Sequence, residues 1–183
     1  FKTNGVVTTI PRRSIDITAA INGDFTSPDL KASFEGAVEG FHIASGEALA
    51  RVTISNATLT NAARTTRLSR LSVHLIHRPR TGVEIDITGL LRGDDIPPET
   101  KVSLALNAPR PLGQTPVEFH AVVDSGLGWG QLDGHINPDR RIDATASGAY
   151  EPKGERVANV TGAITGRLGE DATFSLSGAV TPG

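Results

Sequence analysis

The sequence predicts an all-β fold, an elongated and curled sheet of antiparallel or mixed strands forming an open groove, with a closed β-sandwich as the alternative. Three observations lead there. Apolar and polar residues alternate at period two in segment after segment, which is the pattern of half-buried strands. The 183-residue chain is 38% hydrophobic but only 4% aromatic, so Ala, Val, Ile, Leu and Gly stand where a sealed core uses bulkier fillers, and this tilts the expectation to the groove. A short signature, a Gly, an apolar residue two later and then a Pro, recurs at Gly23-Asp24-Phe25 with Pro28, Gly134-His135-Ile136 with Pro138, Gly148-Ala149-Tyr150 with Pro152, and Gly178-Ala179-Val180 with Pro182. Proline removes a ladder donor and fixes φ, and Gly inside a strand marks a bend or a close backbone approach, so the signature marks where pairing stops. A chain of repeated strand-and-stop units places its function on an extended surface more readily than in one pocket.

The strands follow in order from the alternation. Ile15, Ile17, Ala19 and Ile21 share a face, and after the turn at Ser27-Pro28-Asp29 come Leu30, Ala32, Phe34, Gly36 and Val38. Ala48 to Ile54, Leu71 to Leu75, and Val83 to Gly89 repeat the pattern. Val102, Leu104 and Leu106 precede Pro109, and Val117 to Val123 precede the glycine-rich turn Gly126 to Gly130. The remainder supplies Leu132 to Ile136, Ile142 to Gly148, Gly162 to Leu168 and Phe174 to Val180, making about eleven strands of ordinary length. Residues 61 to 70 carry a plausible Asn cap at Asn61, but adjacent Thr65 and Thr66 and the lack of an apolar stripe argue for a connection between strands. No composition shift marks a linker, so residues 1–183 read as one β-rich segment. The absence of any Met suggests that the segment is excised from a longer protein.

Composition removes several functional classes. A formal net charge of −2 gives no bulk attraction to nucleic acid or to an anionic membrane. The absence of Cys removes disulfides, thiolate metal sites and thiol nucleophiles. Residues 48 to 83 hold Arg51, Arg64, Arg67, Arg70, Arg78 and Arg80 with no Asp or Glu, leaving 12 basic and 20 acidic residues elsewhere. Arg's planar fork suits phosphate, so Arg64, Arg67, Arg70, Arg78 and Arg80 form a candidate patch for an anionic headgroup or an acidic partner; the alternative is a solvated face.

Other constellations carry less. His74 and His77 lie three apart and point to opposite faces of a strand, so they cannot share one metal ion, and neither a metal nor a cofactor is expected. No Gly-x-Ser-x-Gly elbow is present, and no two carboxylates single themselves out as a glycosidase pair, so an enzyme is not expected. Gly126-Leu127-Gly128-Trp129-Gly130 lacks the Lys-Ser/Thr of a phosphate loop and reads as a flexible turn displaying Trp129. The sequons at Asn56 and Asn159 lie on strand-like segments and are expected to be unmodified.

Ile21-Asn22-Gly23-Asp24-Phe25-Thr26-Ser27-Pro28-Asp29-Leu30-Lys31-Ala32, followed by Phe34 to Gly40, resembles the recurring phrase of the bacterial TamB and AsmA-like envelope proteins. Val160 to Gly166 and Leu176 to Val180 are similar to the same family's strands, while the Arg- and His-rich residues 61 to 80 depart from it. The resemblance implies a long apolar β-groove in a periplasmic protein, tethered to the inner membrane through sequence outside this chain and concerned with lipid transport or outer-membrane assembly. On that reading Ile17, Ile54, Val73, Leu75, Ile85, Ile87, Leu104, Leu106, Phe119 and Ile164 line the groove, with phospholipid acyl chains and an outer-membrane protein as partners. Exposed edge strands would favour self-association. The alternative function is an extracytoplasmic sandwich module for adhesion to protein or glycan, using Trp129.

Overall fold

The computed structural model describes residues 2–10, 14–26, 30–44, 46–61, 64–93, 96–167 and 172–180. They form one sheet of twelve strands in sequence order. The strands are β1 (Lys2–Ile10), β2 (Ser14–Thr26), β3 (Leu30–Ala44), β4 (Glu47–Asn61), β5 (Arg64–Arg78), β6 (Gly82–Gly93), β7 (Ile96–Pro109), β8 (Val117–Ser125), β9 (Gly128–Ile136), β10 (Arg141–Tyr150), β11 (Ala158–Arg167) and β12 (Ala172–Val180). Every pairing is antiparallel and joins consecutive strands. β1 does not pair with β12, so the sheet is open, and the substantial contacts between elements all join neighbours in sequence.

Among the described residues no second layer packs on this sheet. A compact monomer of this mass exposes roughly 8,400 Å² by the usual scaling, whereas this chain of 19.2 kDa exposes 12407 Å². Among the described residues the buried apolar side chains are Ala144 and Ala149, and no large side chain is fully enclosed. The sandwich alternative therefore does not form. Stability must come from the backbone ladders and from side chains packed against their cross-strand neighbours.

The register shows how a single layer stays ordered. Ala19 on β2, Val38 on β3, Val52 on β4, Val73 on β5, Ile87 on β6, Leu104 on β7, Ala121 on β8, Leu132 on β9, Ala146 on β10 and Gly162 on β11 stand in one continuous row. A one-residue slip anywhere would exchange this aliphatic row for the polar one beside it, so the row specifies the register. The longer strands accommodate the sheet's twist with bulges. The extra residue lies at Glu39 in β3, at Ser55 in β4, and between Ser69 and Ser72 in β5. Ser55 uses its hydroxyl to donate to the Glu35 carbonyl at 3.0 Å, and Arg70 adopts a positive φ of 53° inside the β5 bulge.

These bulges explain where the sequence reading departs from the structure. Residues 61 to 70 are not a connection: β4 runs to Asn61 and β5 begins at Arg64. Because the bulges step the apolar face by three residues, from Ile54 to Ala57 and from Leu71 to Leu68, alternation is lost in the sequence while the face is kept in space. The strand count rises to twelve because β1 was not anticipated. Its Thr3, Asn4, Gly5, Thr8 and Thr9 blur the pattern until pairing with β2 supplies a register. Trp129 is not on a turn but is the second residue of β9, paired between Asp124 and Ala149.

The recurrent signature does sit at strand ends: β2, β9, β10 and β12 finish at Thr26, Ile136, Tyr150 and Val180, while Pro28 and Pro182 lie outside the described residues. At Gly134 the close approach is explicit, since a Cβ there would lie 2.5 Å from the Asp143 carbonyl oxygen and 2.7 Å from the Phe119 ring. Gly82 is constrained differently, with φ of +127° and a would-be Cβ 2.1 Å from the Ala108 carbonyl oxygen. Gly82→Ala is therefore expected to destabilise the sheet by about 1–3 kcal/mol. Gly130→Ala, whose new Cβ meets nothing within 4 Å, should change stability by less than about 1 kcal/mol. Thermal denaturation of the two variants checks both expectations.

Candidate functional site

Period two and the bulges together put all ten expected groove residues on one face. Ile17, Leu75, Ile85, Leu106, Phe119 and Ile164 share one row. Val73, Ile87 and Leu104 share the next, and Ile54 lies in a third with Ile21, Gly36 and Leu71. Successive rows on one face are about 7 Å apart, and the strands stack over roughly 50 Å. The polar row between them faces the other way, so the result is a broad aliphatic belt crossing strand after strand. Most of its side chains are half-buried, shielded by their neighbours and not by a covering layer.

Toward β8 to β11 the belt thins into a hollow of about 510 Å³. Gly130 and Gly148 face each other there, so the floor is bare backbone. Val123, Tyr150 and Val160 stand at its rim with 46%, 48% and 40% of their surface exposed. Its backbone groups are held in ladder hydrogen bonds. This leaves an apolar floor with little to offer a charged ligand.

The larger recess, about 1040 Å³, opens on the polar face between β6 and β11. Cross-strand register gathers Glu84, Asn107, Glu118, His135 and Asp143 in one row and Asp86, His120 and Asp133 in the next. Most of these groups are paired. His120 Nδ1 lies 2.5 Å from Asp133 Oδ1, and Gln131 donates to the second oxygen of Asp133 at 2.5 Å. His135 lies 3.7 Å from Asp143, which also accepts from Asn137 at 3.2 Å, and Asn107 donates to Glu118 at 3.3 Å. The hydrogen bond from His120, followed by that from Gln131, holds the Asp133 carboxyl below its ordinary value, against a smaller opposing effect of burial. A glycosidase acid needs the opposite shift, so Asp133 is better suited to compensating charge than to donating a proton at neutral pH. Among the described residues no group of three or more potential ligands is placed to hold a metal ion.

The arginines do not form one contiguous patch. Arg67 and Arg78 lie on β5 roughly 36 Å apart along the strand, and Arg80 is in the exposed turn beyond it. Arg78 is engaged by Glu84 at 2.7 Å. Arg70 is exposed at the β5 bulge, and the side chain of Arg64 lies outside the described residues. His74 and His77 do fall on opposite faces, opposite Asp86 and Val83 respectively. Trp129 stands on the polar face, 37% exposed.

No family model, curated protein or solved structure matches this chain.

The Asp133 pairing has a testable sign. Because the folded-state value is depressed, its stabilising contribution is complete above the ordinary carboxylate value of 3.8 and is lost as acid carries the pH below it. The melting temperature of the wild type should therefore fall more steeply on acidification below pH 3.8 than that of Asp133→Asn, the two curves converging at low pH.

Proposed function

We propose that this chain is a non-enzymatic, periplasmic segment of a TamB/AsmA-like protein, whose aliphatic sheet face shields lipid acyl chains in transit between membranes or during outer-membrane assembly. The observation that carries the reading is the uncovered belt itself: aliphatic rows run across strand after strand, and among the described residues no second layer packs on them. Contiguous apolar surface beyond a few hundred Å² marks an interaction site in soluble proteins. An acyl chain fits such a surface chemically, because each methylene taken out of water contributes about 0.8 kcal/mol and no directional contact is required. Gly130 and Gly148 leave a hollow of about 510 Å³ in this face. The sequence resemblance supplies the envelope setting, and the open edges of β1 and β12 offer unpaired backbone to flanking strands or to another copy.

Native mass spectrometry and photocrosslinking after exposure to a lipid extract test this. The wild type should retain phospholipid. Leu106→Asp and Ile87→Asp, each placing a carboxylate in the belt, should retain it at least about tenfold less, equivalent to ~1.4 kcal/mol. A folded wild type that retains no lipid would overturn the proposal.

A further inference from the structure

On the polar face, at the rim where β4 and β6 end and β5 begins, the register sets two arginines directly opposite each other: Arg67 on β5 pairs with Arg92 on β6. Like charges at facing positions of a sheet repel. Both side chains are exposed, and among the described residues neither has an ion pair or a side-chain hydrogen bond. β4 and β5 carry no Asp or Glu along the stretch beside them, so these two strands bring no carboxylate into competition. The two arginines line a recess of about 390 Å³ together with Asn56, Thr65, Ser69 and Gly93. Asn56 and Ser69 face each other across β4 and β5, and the Thr65 hydroxyl lies 3.3 Å from that of Thr60.

We propose that Arg67 and Arg92, with Asn56, Thr65 and Ser69 around them, form a binding site for a phosphoryl oxyanion. A carboxylate presents two oxygens and is satisfied by one guanidinium fork, leaving the second arginine in excess. A phosphoryl group presents three acceptor oxygens and close to two negative charges, which matches two forks plus hydroxyl and amide donors and removes the Arg67–Arg92 repulsion. The site stands on the face opposite the aliphatic belt, so it does not depend on acyl-chain shielding.

Two probes distinguish the sources of such a group: inorganic phosphate followed by titration calorimetry, and flotation with phosphatidylcholine vesicles with or without phosphatidic acid. The wild type is expected to bind inorganic phosphate saturably and to melt at higher temperature in phosphate than in sodium chloride of equal ionic strength. Arg67→Gln and Arg92→Gln should each weaken binding about tenfold or more and abolish the thermal shift, while Arg80→Gln in the turn beyond β5 changes neither. Flotation that requires phosphatidic acid and both arginines identifies a lipid headgroup as the source; phosphate binding without flotation identifies a soluble phosphoryl compound. The site is overturned if folded wild type shows neither saturable phosphate binding nor preference for phosphatidic acid, or if both variants bind as the wild type does. Lipid retention by the belt is read separately through Leu106→Asp, so the two proposals fail independently.

Discussion

Register is the constraint on which this molecule depends. In a two-layer protein a strand is held in place both by its ladder and by the layer packed on it. Here only the ladder and the neighbouring side chains act, yet aliphatic rows pass from β2 to β11 without a break in facing. Each row is both the product of correct pairing and the reason for it, since a slip would place polar side chains among Leu, Ile and Val. The bulges serve the same end. They let strands of up to 15 residues follow the twist while returning Ala57 and Leu68 to the aliphatic side.

The two faces then separate into two kinds of chemistry. One offers continuous apolar area with little polar detail, suited to a guest recognised by insolubility in water. The other is divided electrically, with arginines concentrated on β5 and carboxylates on β6 to β10, where Glu118 is answered by Asn107, Asp133 by His120 and Gln131, and Asp143 by His135 and Asn137. Because the sheet is one layer thick, any ligand on either face meets a surface built by several strands, and no strand alone defines a site.

Much of this architecture was legible in the sequence because period two is a direct imprint of a half-buried strand. Segments such as Val83 to Gly89 and Val102 to Leu106 carry it without interruption, and low aromatic content argued correctly for an open sheet. What escaped was whatever depends on pairing. The bulges near Ser55 and Arg70 break the alternation, so residues 61 to 70 looked like a connection. The glycine neighbours of Trp129 predict a turn, but pairing with Asp124 and Ala149 extends the strand back to Gly128. Arg92 lies outside the arginine-rich stretch, and only the β5 and β6 register brings it opposite Arg67. The gathering of His120, Asp133, His135 and Asp143 is likewise a property of register, invisible in a linear list of charges.

That the substantial contacts join only consecutive strands has an evolutionary corollary. When cohesion is summed over nearest neighbours, a duplicated or deleted hairpin disturbs two junctions and leaves the rest intact. A pair of strands restores both the direction of the chain and the sidedness of its residues, so such a protein can change its reach in steps of roughly 10 Å by ordinary gene duplication. Length becomes an adjustable trait, decoupled from the chemistry of either side.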